Sequence, residues 1–308
     1  MSKIRNLMEA ASNIKGNQFI NMFDLLISRL IIGANYDDFR LFEFKDLSFM
    51  ERKKFSNYRF HNRMLNKLNP ENERWILDEK NEFNLLYNKI IKRNWLYMNK
   101  EVTFEDFKKF IKVNNQIIVK PTNLNQGRGI NLKVYDISNQ SSILSDYERF
   151  IKDKALIEER LFNHKKINQL NDTSLNSIRI YTVTDGVEVQ IIKSLIRVGR
   201  KGSFIDNYHA GGLGASINSV TGKIDSDGVN FNNEIFSKHP DSGMEFKGFQ
   251  IPMWEEVLSL VKEASLLNTK NKFKNIVRIV FSGIKILTKF IRLNTNETIK
   301  NEISQSSE

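Results

Sequence analysis

A lysine at the end of a short apolar run, followed by glycines, is the first pattern here that could do chemistry. Residues 117–119 are β-branched and predict a buried strand that ends at Lys120. Pro121 stops this strand, and Gly127 and Gly129 let the next turn bring its backbone N–H groups close to an anion. The pattern indicates a phosphate site, with a surface hairpin and a solvated lysine as the alternative.

Further polar groups follow in order along the chain, each beside an apolar run. Residues 155–157 precede the paired carboxylates of Glu158 and Glu159. Asn176 and Arg179 begin a segment in which polar and apolar side chains alternate, which is typical of a strand. Glycine-bearing turns then lie at residues 207–212, 239–243 and 248–254.

This order of motifs resembles the ATP-grasp superfamily, and more narrowly the sugar-transfer-associated ATP-grasp family of polysaccharide biosynthesis, over about residues 20 to 268. The resemblance implies an α+β fold in which two α+β lobes surround a nucleotide cleft, with an N-terminal helical region. It also implies ATP and Mg²⁺ as cofactors. The reaction it implies is ATP-dependent ligation, in which a carboxylate becomes an acyl-phosphate and an amine or hydroxyl displaces the phosphate.

The resemblance assigns two lysines, a glycine loop and a hinge strand to the nucleotide. Lys80 and Lys120 would contact ATP phosphates, the loop would cover them as a lid, and the hinge would hold adenine and ribose. A solvent-exposed lysine and a pair of solvated strand-end charges are the alternatives for Lys80 and for the hinge carboxylates. The predicted nucleotide residues are Lys80, Lys120, Gln126, Gly127, Arg128, Gly129, Ile157, Glu158 and Glu159.

Arg179 is the predicted catalytic residue, because its planar fork of donors matches a phosphate or acyl-phosphate in two hydrogen bonds. A salt bridge at the end of a sheet is the alternative. The predicted contacts to a sugar-linked or cell-surface precursor are Asn176, Asp206, Asn207, Gly211 and Gly212. An Asp-Asn pair before glycine is also ordinary turn chemistry.

Composition narrows the classes of function. The chain has no cysteine, which excludes disulfides and thiolate metal sites. Its 47 basic and 36 acidic residues give a net charge of +11, which favours nucleotides, anionic membrane or nucleic acid as partners without choosing among them. The lysines are scattered and no nucleic-acid-binding signature occurs, so nucleic acid is not expected. Because the first 16 residues are charged and the longer apolar stretches are interrupted by charge, we expect a cytoplasmic protein without a transmembrane helix.

The elements that position these residues fall into three predicted regions. Residues 1–78 are mainly helical in pattern, and residues 79–268 form the ATP-grasp domain. Within that domain the pattern predicts helices over residues 82–95 and 104–111, the second capped by Thr103 and Asp106. Residues 269–308 are predicted to be a basic amphipathic helix followed by a disordered tail.

The C-terminal region departs from the family. Its relatives continue into two strands that carry an aspartate and then Glu-x-Asn as Mg²⁺ ligands, whereas no aspartate follows Asp241 here, so the metal ligands are unknown. This leaves a second function open, namely a catalytically impaired nucleotide-binding or scaffold protein.

The basic residues of the segment 274–292 fall in one arc at helical spacing, which predicts a helix lying peripherally on an anionic inner-membrane surface. A terminal helix packed on the domain, and a change of reading frame near residue 268, are the alternatives.

Overall fold

The computed structural model of the chain divides into two compact units, one ending at Glu71 and the other beginning at Asn72. Each unit has its own hydrophobic core. The structure describes residues 8, 10–12, 14, 16–55, 57–72, 76, 79–121, 129–203, 206–208, 211–268, 273–282 and 285–290.

The first unit is helical, as the sequence predicts. Its core is aromatic: Phe39, Phe42 and Phe44 are buried, and the rings of Phe42 and Phe55 lie 4.8 Å apart between centroids. The helical elements are α1 (Gln18–Ile27), a π-helical turn (Ser28–Ile32), α2 (Tyr36–Leu41), a 3-10 turn (Phe44–Asp46), α3 (Phe49–Arg52) and α4 (Tyr58–Leu68).

A small sheet of four antiparallel strands forms part of the second unit, in the order β1–β4–β2–β3. Ile117 and Ile157 point from it into a core completed by Phe107 and Phe150 of two helices. The strands are β1 (Trp95–Tyr97), β2 (Gln116–Lys120), β3 (Asn131–Val134) and β4 (Leu156–Glu159). The helices that pack on this sheet are α6 (Phe104–Val113) and α7 (Gln140–Asp153), whereas α5 (Lys80–Leu86) contributes Phe83 to a separate core.

Of the two helices predicted in this region, the structure confirms the second and only part of the first. The cap of α6 is confirmed, because the Thr103 hydroxyl accepts the Asp106 N–H at 3.1 Å and the Asp106 carboxylate accepts the Thr103 N–H at 3.2 Å. The helix predicted over residues 82–95 is only partly right: α5 begins at Lys80 and ends at Leu86, and Trp95 begins β1. Between them, Tyr87, Ile90 and Ile91 are buried in a hydrophobic core although the backbone there forms a turn. The spacing of these apolar residues in the sequence is compatible with a helix as well as with this turn.

A large sheet of seven antiparallel strands forms the rest of the second unit, in the order β11–β10–β5–β6–β7–β8–β9. One face of it packs Ile178, Ile180 and Ile196 against Val257 and Val261 of a helix. The strands are β5 (Ser177–Thr184), β6 (Val189–Val198), β7 (Leu213–Ile217), β8 (Gly228–Val229), β9 (Ile235–Phe236), β10 (Phe273–Ser282) and β11 (Lys285–Phe290). The remaining helices are α8 (Lys165–Asn168) and α9 (Trp254–Leu266).

The predicted basic helix over residues 274–292 is wrong for the part that the structure describes. Strands β10 and β11 occupy that segment, and β10 pairs with β5 so that Arg278 lies opposite Arg179. The physical reason is that β5 pairs with β6 along one side only, and β10 provides hydrogen-bond partners for its other side. The predicted membrane helix therefore loses its basis, and the predicted disordered tail after residue 293 lies outside the described residues.

None of the helices in the described ranges combines the length and the apolar character needed to cross a membrane.

His239 is a buried titratable group beside the segment that follows β6. Its Nε2 lies 2.9 Å from the Gly199 carbonyl oxygen, and its Nδ1 accepts the N–H groups of Asp241 and Ser242 at 3.3 and 3.4 Å. Burial lowers the pKa of His239 below its ordinary value, although the Gly199 carbonyl and Asp241 act in the opposite direction. A proton on Nδ1 would also remove the acceptor that both N–H groups use.

We expect the free energy of unfolding to fall as the pH drops below about 6.5, because the unfolded state then binds a proton that folded His239 resists. His239→Gln should flatten this dependence. Urea unfolding of both proteins between about pH 5 and pH 8 measures it. This window lies above the titration of Asp241, whose pKa is about 2 because Arg200 donates two hydrogen bonds to it. An equal slope in the variant would contradict the assignment.

Candidate functional site

A buried group of opposite charges joins two strands of the small sheet at the end of β2. Lys120, the last residue of β2, forms an ion pair with Glu158 of β4, and both side chains are almost fully buried. Arg93, just before β1, holds the same carboxylate: its Nε lies 3.0 Å from Glu158 Oε2 and its Nη2 donates to Oε1 at 3.0 Å. The Arg93 Nη2 also donates to the Asn84 Oδ1 at 3.1 Å. Glu158 is therefore fixed between two cations.

Lys80 brings a third cation to the same end of the sheet. It is the first residue of α5, and its Nζ donates to the Pro121 carbonyl oxygen at 2.8 Å. Burial lowers the pKa of Lys80, while Glu79 and Glu158 act to raise it. Two predicted phosphate lysines from distant parts of the sequence thus meet where β2 ends.

The predicted hinge strand divides its side chains between opposite directions. Glu158 points to the ion pairs, whereas Glu159 accepts a hydrogen bond from the Asn94 amide at 3.0 Å. Ile157 is fully buried in the core of the small sheet and pairs with Leu96 and Val119. Gly129 has a φ of 71°, in the region that favours glycine, while Gln126, Gly127 and Arg128 lie outside the described residues.

A second group of polar residues lies on one face of the large sheet, opposite its apolar face. Ser177 of β5, Arg197 of β6 and Gly214 of β7 share one cross-strand row, and Arg179 lies in the next row with Leu195. Both arginines are buried, with 5% and 6% of their surface exposed. This face therefore presents two guanidinium groups, whose paired N–H donors suit carboxylates and phosphates.

The predicted substrate residues surround this face and engage the protein. The Asn176 amide donates to the Asn171 carbonyl at 2.6 Å and accepts the Gly199 N–H at 3.1 Å. Asp206 is buried and accepts a hydrogen bond from the Ser177 hydroxyl. Gly211 has a φ of 83°, in the region that favours glycine, and Gly212 donates its N–H to the Asn207 carbonyl at 3.0 Å.

Gly212 and Gly214 allow close packing in this loop. A Cβ on Gly212 would lie 2.8 Å from the Asn207 carbonyl oxygen, and a Cβ on Gly214 would collide with the Tyr208 ring. Arg197 also packs on this ring, with its guanidinium carbon 4.9 Å from the ring centroid. Tyr208 therefore contacts Arg197 and lies close to Gly214.

Sequence reasoning missed Arg93, Asn84, Arg197 and Tyr208. Arg93 carries no local signal, because it precedes a three-residue strand and its partner lies 65 residues further along the chain. Arg197 could have been found, since it follows the alternation of β6 and falls on the same face as Arg179.

The C-terminal strands offer no carboxylate to Mg²⁺. Lys274, Arg278, Lys285 and Lys289 lie in β10 and β11, which contain no acidic residue, whereas Mg²⁺ requires oxygen ligands. Within the ranges that the structure describes, no group of three or more His, Asp or Glu side chains could hold a metal ion.

The sequence matches the family model of the sugar-transfer associated ATP-grasp proteins over residues 59–276, more than two thirds of the chain. The chain therefore belongs to this family, and its two antiparallel sheets with flanking helices form an α+β ATP-grasp fold. Comparison with curated protein sequences yields no match.

Three bacterial or fungal enzymes are among the solved structures that are similar to this chain. D-alanyl-alanine synthetase A from Vibrio cholerae is 11% identical, with 70% of this chain and 54% of that chain covered and a TM-score of 0.39. The D-alanine–D-alanine ligase from Bacillus anthracis is 15% identical, with 71% of this chain and 57% of that chain covered and a TM-score of 0.35. The carboxyaminoimidazole ribonucleotide synthase from Aspergillus clavatus, complexed with ATP, is 11% identical, with 77% of this chain and 52% of that chain covered and a TM-score of 0.43. The chain spans about half the length of these structures.

We expect Arg93 and Glu158 to be coupled in stability, because removal of Glu158 leaves two buried cations without the acid that they share. Glu158→Gln should destabilise the protein by about 3–5 kcal/mol and Arg93→Met by less, since Glu158 then still pairs with Lys120, and the double variant should lose clearly less than the sum. Urea unfolding of the four proteins gives the coupling free energy. The exposed pair Lys108 and Glu105, treated in the same way, should couple by less than about 1 kcal/mol. Additive losses at Arg93 and Glu158 would contradict the assignment.

Proposed function

We propose that this chain binds ATP at the end of the small sheet, with the phosphates held by Lys120 and Lys80. The observation that carries the proposal is the convergence of these two lysines where β2 ends, immediately before the glycine-bearing segment. In the family such a segment closes over phosphates, and we infer that role for Gln126, Gly127, Arg128 and Gly129.

The pairing with Glu158 suits Lys120 to this task. A lysine ammonium has three donors, so Lys120 keeps one on Glu158 and directs others to a phosphate oxygen. Arg93 shares the charge of the same carboxylate, and this keeps the local balance positive for a polyanion. Burial strengthens such interactions because the dielectric constant is low. The backbone of Ile157 and the Glu159 carboxylate are the proposed contacts to adenine and ribose.

The reaction that we propose first is the ligation implied by the family. A carboxylate oxygen attacks the γ-phosphorus of ATP, the bond to the β-phosphate oxygen breaks, and ADP leaves. An amine or hydroxyl then attacks the acyl-phosphate carbon, loses its proton and releases phosphate. Arg179, with Arg197 on the same face, would bind the phosphate or acyl-phosphate, and the contribution of the protein is positioning and charge neutralisation.

The substrates follow from the family description and from the polar face of the large sheet. Asn176, Asp206, Asn207, Gly211 and Gly212 are the proposed contacts to a sugar-linked or cell-surface precursor. Because the Asn176 and Asp206 side chains bond within the protein, we infer that they shape the loop while its backbone contacts the substrate. A peripheral membrane contact through residues 274–292 is not retained, since the described part of that segment forms strands.

A second candidate function is favoured by one observation, the absence of acidic residues from β10 and β11. Such a chain would bind ATP yet lack the family's metal chemistry, and would act as a nucleotide-binding or scaffold protein. Both candidates share the nucleotide site, so binding and turnover must be measured separately.

Lys120→Met should weaken ATP binding by about 10- to 100-fold while adenosine binding changes by less than about 2-fold, because only ATP has phosphates to lose. Isothermal calorimetry with both ligands measures the two affinities. Lys108→Met is the matched control, since it removes a lysine from the exposed face of α6 and should leave both affinities unchanged. Equal weakening of ATP and adenosine by Lys120→Met would refute the phosphate role.

ADP release in Mg²⁺ should separate the two candidate functions. The second candidate predicts turnover at least about 100-fold below that of a chimera in which residues after Asn268 are replaced by a complete ATP-grasp C-terminus, because a bound metal stabilises the charge of phosphoryl transfer by several kcal/mol. The ligase candidate predicts comparable turnover in the two proteins. A panel of carboxylate and amine acceptors with sugar groups is the substrate set. Turnover equal to that of the chimera would favour the ligase and overturn the second candidate.

A further inference from the structure

Helix α1 and the π-helical turn that follows it have their polar and apolar faces reversed. The residues buried in the protein are Asn21, Leu25 and Ser28, two of which are polar. The apolar side chains on the outer face are between 40% and 68% exposed, namely Phe19, Ile20, Phe23, Leu26, Ile27, Leu30 and Ile31. We call these seven residues the apolar face of α1. Seven large exposed apolar side chains within 13 residues are far more than scattered surface positions require.

Polar contacts fix this orientation. The Asn21 amide donates to the carbonyl oxygens of Ile14 and Ala11 at 2.9 and 3.4 Å. Arg52 donates to the Ser28 hydroxyl at 3.0 Å and to the Asp24 carboxylate at 2.9 Å. Rotation of the helix to bury its apolar face would break all of these bonds and expose Leu25.

The charges around the apolar face are positive. Asp24, the acidic residue of α1, is held in the ion pair with Arg52. Arg29 is exposed on the turn, and Arg59 donates to the carbonyl oxygens of Arg29 and Leu30 at 3.3 Å each, so two guanidinium groups lie at the C-terminal end of the face. Residues 1–71 contain 12 basic and 8 acidic side chains, a balance of +4.

We propose that the apolar face of α1 lies on an anionic lipid surface. The 10 residues of α1 and the 5 of the turn give a length of about 22 Å, too short for the roughly 30 Å of a bilayer core but suited to lying in the headgroup plane. Anionic headgroups would complement Arg29 and Arg59, whereas a second copy of the chain would meet this face with a unit of the same positive sign.

The test is co-sedimentation of the full chain with vesicles of phosphatidylcholine alone and of phosphatidylcholine mixed with phosphatidylglycerol. We expect binding to the mixed vesicles, weaker binding to the neutral ones and loss of binding on addition of salt. The variant Phe19→Ser/Phe23→Ser/Leu30→Ser should bind at least about tenfold more weakly, because it removes three buried apolar contacts with lipid. Arg29→Glu should reduce only the binding that depends on anionic lipid.

The control is Val113→Ser/Val187→Ser/Val220→Ser, which changes three apolar side chains that are 77%, 82% and 86% exposed elsewhere. It should bind vesicles like the natural sequence. Circular dichroism checks that both triple variants are folded, and Phe23→Ser alone replaces the first if it is not. Wild-type binding by the Phe/Leu variant, no binding by the natural chain, or equal affinity for neutral vesicles would overturn the proposal. A dimer in light scattering that the Phe/Leu variant dissociates would also overturn it, and would assign the face to self-association.

Discussion

The carboxylate of Glu158, buried between Arg93 and Lys120, is the interaction on which the end of the small sheet depends. A buried charge is tolerated when it is paired and hydrogen-bonded, and here one acid holds two cations from separate segments of the chain. It thereby fixes the segment before β1, the end of β2 and the middle of the sheet relative to one another. Lys80 donates to the carbonyl of Pro121, the residue that follows Lys120. The ion pair therefore places Lys120, and a backbone hydrogen bond at the same end of β2 places Lys80.

The large sheet also buries charged side chains, in this case on the face opposite its apolar core. Its apolar face packs on α9, while Arg179 and Arg197 are buried on the other face, the latter against Tyr208. Antiparallel strands allow this, because neighbouring residues along a strand point to opposite faces. The C-terminal strands complete the sheet without bringing a carboxylate to it. Strand β10 pairs with β5 and β11 through backbone hydrogen bonds, which do not depend on which side chains it carries.

The elements that the sequence predicted correctly are those with a strong local signal. The β-branched run before Lys120, the alternation after Asn176 and the Thr103 cap each specify a structure within a few residues, and each occurs as predicted. The C-terminal segment failed because basic residues at helical spacing also fit a strand, and the unpaired side of β5, about 100 residues earlier, decides between them. Arg93 was missed for the same reason: its role exists only through Glu158.

The sequence around each predicted site residue also did not indicate which other residues it contacts. Lys80 and Lys120 were each assigned to phosphate by resemblance, but their meeting at the end of β2 depends on the packing of α5. Asn176 and Asp206 are predicted from the sequence as substrate contacts, and the fold shows that the Asn176 amide donates to the Asn171 carbonyl and that Asp206 accepts from the Ser177 hydroxyl. Residue type predicts what a side chain offers, whereas tertiary contacts decide which partner takes it.

The most direct measurement of the central claim is a crystal structure of the chain with a non-hydrolysable ATP analogue. The account predicts phosphate oxygens within about 3 Å of the Nζ atoms of Lys120 and Lys80, with Arg93 still holding Glu158. An analogue whose phosphates lie elsewhere, while both lysines keep only their contacts to Glu158 and the Pro121 carbonyl, would contradict it.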